Sequence, residues 1–200
     1  QVSWEGRPEA GPLGVRLSGV QVVRGGTRAE FTEASARPTL GGLVASLRQA
    51  QGRASVRLNH RDLALQADSI EVETGNADLG KAEVTVERFT YSLASREGQG
   101  EVRMVLPKLS APLPIPVNRL ELGAPVQIRP AKNGAGTEIT AELRVSGEGL
   151  SGSGSVMLRT APNQPAPALS GVLNLETKLG NVSIRLGGTW AKPTWEINPG

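Results

Sequence analysis

The chain contains no cysteine, which removes disulfides, thiolate metal sites and cysteine nucleophiles from its chemistry. It has a single histidine, His60, so a His-rich metal centre is ruled out and a Ser-His-Asp triad would have to use that one residue. Aromatic side chains are scarce: two Phe, one Tyr and three Trp in 200 residues. Hydrophobic residues other than Gly reach 38 %, where an ordinary globule has roughly 45–50 % with Gly counted in, so large apolar side chains are few. That suits an extended sheet burying one face better than a thick multilayer enzyme. No apolar run approaches the ~18 residues that a membrane-crossing helix needs. Runs of like charge are missing too. The 22 Lys and Arg against 19 Asp and Glu leave a formal charge of +3, and the basic residues are scattered singly, whereas a nucleic-acid face clusters its cations. No nucleic-acid partner is expected. The first residue is Gln1 rather than Met, which points to a processed or excised soluble piece, with any signal or anchor upstream of it.

What the chain does have is glycine, proline and alternation: 25 Gly, 14 Pro and apolar residues at every second position. The segment from Leu169 onward shows it best. Leu169, Leu173, Leu175 and Leu179 fall on odd positions, a break follows at Gly180-Asn181, and Val182, Ile184 and Leu186 fall on even ones. Period-two alternation on both sides of a Gly-Asn break predicts a β-hairpin with one wet and one dry face. The second arm runs on to Trp190, turns at Pro193 and returns through Trp195 and Ile197.

Upstream segments repeat the pattern. Val15 and Leu17 change phase to Val20 and Val22 across Ser18-Gly19, as a β-bulge does, and Gly25-Gly26 turns the chain toward Phe31. Leu40, Leu43, Val44 and Leu47 are spaced i, i+3, i+4, i+7, so a short amphipathic helix is predicted over residues 40–51, with Thr39 as N-cap and Gly52 as its stop. That helix would plug one open end of the apolar interior or dock a partner through Leu43 and Leu47. Strands resume from Arg53 to Leu106. Prolines 107, 112, 114, 116, 125 and 130 then interrupt regular strand, and Leu113–Pro116 reads as an extended connector. Residues 1–200 are expected to form a single elongated β-rich domain, divisible into halves 1–106 and 117–200 joined by Pro-rich 107–116. About a dozen strands against one helix predict an all-β, mainly antiparallel fold: an extended, curved sheet, groove or sandwich.

Catalytic signals dissolve on inspection. Gly147-Glu148-Gly149-Leu150-Ser151-Gly152 spells a dinucleotide fingerprint, but strand material follows it where a helix is required. His60-Arg61-Asp62-Leu63 copies the opening of a kinase catalytic loop without the Asn, which is Ala67 here, or a companion Asp-Phe-Gly triplet. Glu71 with Glu73, and Glu83 with Glu87, are same-face carboxylates, which do acid–base work only where a pocket shifts their pKa values; on alternating strands they read as solvent-facing. No enzyme activity, cofactor or metal is expected. Trp190, Pro193 and Trp195 gather rare aromatics at one place and form a contact surface if they do not simply cap the core.

Ile184-Arg185-Leu186-Gly187-Gly188-Thr189-Trp190-Ala191-Lys192-Pro193-Thr194-Trp195 resembles the Gly-Thr-x-x-x-Pro close of the type II secretion protein N and AsmA-like group of bacterial envelope proteins. Leu150–Val156 is similar to the Gly-studded strands of that group. The resemblance implies a periplasmic β-rich body held at the inner membrane of a Gram-negative bacterium by an N-terminal anchor outside this sequence. Its partners would be other envelope and secretion-system proteins. The function it implies first is a non-enzymatic scaffold subunit of a protein-secretion apparatus. The alternative is a periplasmic lipid carrier with an apolar β-groove that holds acyl chains. A scaffold should pack its dry face against itself and the 40–51 helix; a carrier should leave that face as a continuous apolar trough.

Overall fold

In a computed structural model of the chain, the structure describes residues 1–24, 26–74, 80–107, 119–131, 136–161, 166–190 and 192–199. They form one antiparallel sheet of 14 strands, each paired with its neighbours in sequence. The strands are β1 (Val2–Gly11), β2 (Gly14–Arg24), β3 (Thr27–Thr39), β4 (Gly42–Arg48), β5 (Arg53–Asn59), β6 (Asp62–Glu73), β7 (Lys81–Ser92), β8 (Gly98–Leu106), β9 (Leu120–Pro130), β10 (Thr137–Gly147), β11 (Leu150–Thr160), β12 (Ala168–Thr177), β13 (Gly180–Thr189) and β14 (Lys192–Pro199). The all-β prediction holds, with no helix among the described residues.

The predicted helix over 40–51 is a hairpin instead. Leu40-Gly41 is a turn and residues 42–48 are β4, paired with β3 through Pro38↔Leu43 and Ala34↔Leu47 and with β5 through Leu43↔Leu58. The spacing was ambiguous, because Leu43, Ala45 and Leu47 also share one face of a strand. Gly42 decides it: with φ at +158° its backbone lies against β5, where a Cβ would fall 1.9 Å from the Leu58 carbonyl oxygen.

Two further boundaries differ from expectation. The closing hairpin turns at Lys178-Leu179, and Thr177 pairs with Gly180; Pro193 lies inside β14, opposite Gly188, rather than at a turn. Pro125 also sits inside an interior strand. Its pairing with Glu101 of β8 is kept, whereas the β9–β10 register runs to Ala141↔Val126 and resumes only at Arg144↔Gly123. The missing N–H thus falls on the β10 side, where the ladder is interrupted. The predicted connector 107–116, apart from Pro107, lies outside the described residues, as does most of the loop over Pro162–Pro167.

One feature breaks the simple meander. β4 and β5 have 7 residues each, against 13 in β3 and 12 in β6, so they fill only part of the gap between those longer strands. Past the hairpin's end Arg28 pairs directly with Glu73. With strands ~4.8 Å apart, β3 and β6 go from one spacing to three, about 14 Å, along their own length. The sheet has to buckle there. Gln49 stands at the closing point: its Nε2 donates to the Glu71 carbonyl (2.8 Å) and its Oε1 accepts from the Glu71 N–H (2.7 Å). A side-chain amide thereby makes the reciprocal pair of bonds that a strand residue would make. Backbone kinks lie in the same zone, at Gly19, Ser69 and Arg88, with φ of 57°, 50° and 48°. The phase change predicted at Ser18-Gly19 belongs to this line.

Candidate functional site: the apolar face

The hydrogen-bond register carries one row of side chains across the whole sheet. Ala10, Val15, Ala36, Ala45, Val56 and Leu65 are successive cross-strand partners on β1 to β6, and Leu65 pairs with Phe89 on β7. Phe89 packs on Gly100 of β8, where a Cβ would lie 2.6 Å from the Phe89 Cα. The row continues through Val126, Ala141, Val156, Gly171, Leu186 and Trp195 on β9 to β14. Each of the 14 strands contributes one residue, and none is polar.

Rows beside it behave alike. Ile70, Val84, Met104, Leu122, Val145, Gly152, Leu175 and Val182 are consecutive partners from β6 to β13. Two clusters on this face are closed: Val20, Phe31, Ala67 and Ile70 on β2, β3 and β6, and Ala82, Leu106, Leu120, Val145, Leu150 and Leu175 on β7 to β12. These anchor the sheet. Toward the edges the face opens, with Val2 56 %, Trp4 48 %, Trp195 47 % and Ile197 42 % exposed. Neither a helix nor a second sheet covers it among the described residues.

The opposite face is polar and holds a cleft of about 1080 Å³ at the buckle, lined among others by Glu5, Arg28, Glu30, Gln49, Glu71, Lys81 and Glu83. Lys81 Nζ lies 2.7 Å from Glu71 Oε1. That bond, and the charge behind it, raises the Lys81 pKa above its usual range, while the hydrogen bond from Arg28 lowers that of Glu30. Glu71 and Glu83 stand directly opposite each other, both exposed. The exposed Lys81–Glu71 pair balances charge on a wet face.

The residues singled out by sequence fall in two places. Trp195 is on the apolar face beside Leu186, and Pro193 is on the same side of β14. Trp190 occupies the β13–β14 turn, 61 % exposed, its backbone N–H donating to the Pro167 carbonyl at 2.9 Å. Leu47 packs against the cluster on β2, β3 and β6, and Leu43 lies on the same face nearer the turn, 41 % exposed. The two groups share a face but lie in separate parts of the sheet. His60 is exposed in the β5–β6 turn, where Asn59 Oδ1 accepts from the Arg61 and Asp62 N–H groups at 2.8 and 2.6 Å. Glu148-Gly149 is the β10–β11 turn. Neither motif mimic has the surroundings its chemistry requires.

Fold and face together define an open, single-layer antiparallel β-meander with one apolar side. No protein-family model, curated protein or solved structure matches this chain.

Proposed function

We propose that this chain binds the acyl chains of lipids along its apolar face, the carrier reading of the two that the sequence supports. The observation that carries it is the unbroken apolar row from Ala10 on β1 to Trp195 on β14. A sheet with one apolar face must cover that face, and an ordinary monomer exposes no more than a few hundred Å² of contiguous apolar surface. The rows run perpendicular to the strands for about 60 Å of sheet at ~4.8 Å per strand, a shape suited to long apolar chains. Each end of the sheet carries an exposed Trp, an apolar body with a polar N–H that suits the border between lipid and water. The scaffold reading drew on a helix packed over the dry face, and residues 42–48 are a strand instead.

The test is a titration with a fluorescent long-chain fatty acid. The chain should bind it saturably. Ala141→Phe, which fills the floor of the row, and Val156→Asp, which charges it, should each weaken binding at least tenfold. Val172→Glu, on the reverse face opposite Arg185, should leave it unchanged. Binding that ignores Ala141→Phe in a folded variant, or no saturable binding at all, would return the scaffold reading to first place.

A further inference from the structure

We infer that the arm formed by the end of β3 with β4 and β5 docks the chain on an anionic lipid bilayer. Between Glu33 and Asp62 the sequence has five arginines and no acidic residue, although the whole chain carries only +3. The fold turns this stretch into an amphipathic hairpin. On one side Leu43 and Leu58 are cross-strand partners, 41 % and 38 % exposed. On the other, Arg37 and Arg57 flank Val44 on adjacent strands. Leu40 forms the tip and is wholly exposed, and Arg61 sits in the neighbouring turn. The acids at the base are already engaged, Glu33 with Arg16 at 3.5 Å and Asp68 with Arg53 at 4.0 Å. Arg37, Arg57 and Arg61 are exposed and make no ion pair among the described residues, and Asp62, exposed beside Arg61, offsets part of the charge at the tip.

Exposed leucines at a tip backed by unpaired arginines match the layering of a membrane interface: apolar side chains enter the acyl boundary while guanidinium groups stay at the phosphates. Positive charge alone would fit any polyanion. The adjoining wholly exposed Leu40 favours a lipid surface, since a nucleic acid or an acidic peptide gives it nothing to enter. The site uses residues other than the acyl-chain row, so each proposal stands or falls separately.

Vesicle co-sedimentation tests the arm. The chain should bind vesicles of phosphatidylcholine containing about one-third phosphatidylglycerol, bind phosphatidylcholine alone far less, and release as salt rises toward ~0.5 M. Leu40→Ser should weaken binding about tenfold, and Arg37→Gln and Arg57→Gln about fivefold each. Leu179→Ser, at an equally open turn on the opposite end of the sheet, should change nothing; both leucines are exposed, so neither change threatens the fold. The proposal is overturned by equal affinity for both vesicle types, by insensitivity to Leu40→Ser and to the arginine changes, or by binding to duplex DNA or an acidic peptide with none to vesicles.

Discussion

Gln49 shows how much a single polar side chain can contribute to a sheet. Its amide replaces a strand residue where β4 and β5 run out, holding the Glu71 N–H and C=O at 2.7 and 2.8 Å. Alanine there removes both bonds, each worth about 1 kcal/mol net, and leaves water to satisfy Glu71. Gln49→Ala should lower the unfolding free energy by about 1–2 kcal/mol in urea denaturation. A loss below about 0.5 kcal/mol, the range of ordinary surface substitutions, would show that the buckle holds without it. Nothing in the sequence marks this residue: within Arg48–Gln51 it looks like the polar tail of a helix, and its role exists only once β6 lies beside it. The arginines of the neighbouring arm are different. The absence of acid between Glu33 and Asp62 was readable in the sequence, but single spacing hid it until strand pairing brought Arg37 and Arg57 to either side of Val44.

At the scale of the element, alternation was legible wherever a hairpin had polar and apolar residues strictly interleaved, as in Leu173–Leu186. There the side-chain period and the strand period coincide, leaving no rival pattern. It failed at Leu40–Leu47, where Leu40, Leu43, Val44 and Leu47 fit the helical period while Leu43, Ala45 and Leu47 fit that of a strand, and where only the close approach of Gly42 to Leu58 separates them. Proline misled in a related way: Pro125 is tolerated inside β9 because its missing donor costs a local break toward β10 while the β8 side stays paired. At the sheet edges proline has another role. β1 includes Pro8 and β14 includes Pro193, and among the described residues neither strand has a partner on its outer side. Edge prolines withhold donors from a would-be extra strand. Pro193→Val should therefore raise self-association, seen as larger species in sedimentation velocity. An unchanged monomeric profile would mean that the edge is protected by something else.

For the whole molecule, the scarcity of large apolar side chains and aromatics pointed to an extended sheet over a thick multilayer body, with a sandwich left open. The sequence could not reveal that the short apolar stretches align. Ala36, Val56, Val126 and Leu186 are unremarkable one at a time, and only the register of successive strands assembles them into one row. Phase changes near Gly19, Ser69 and Arg88 would have scattered those rows between faces, yet the kinks return the apolar residues to the same side. The result is a sheet that is stabilised by two closed clusters and open toward both edges.

Native mass spectrometry of the chain purified from cells without detergent tests the acyl-chain reading most directly. A peak carrying lipid in a fixed ratio to protein is expected, reduced in Ala141→Phe and retained in Val172→Glu. A single lipid-free mass for the folded wild-type chain, with no lipid taken up when it is supplied, would contradict that reading.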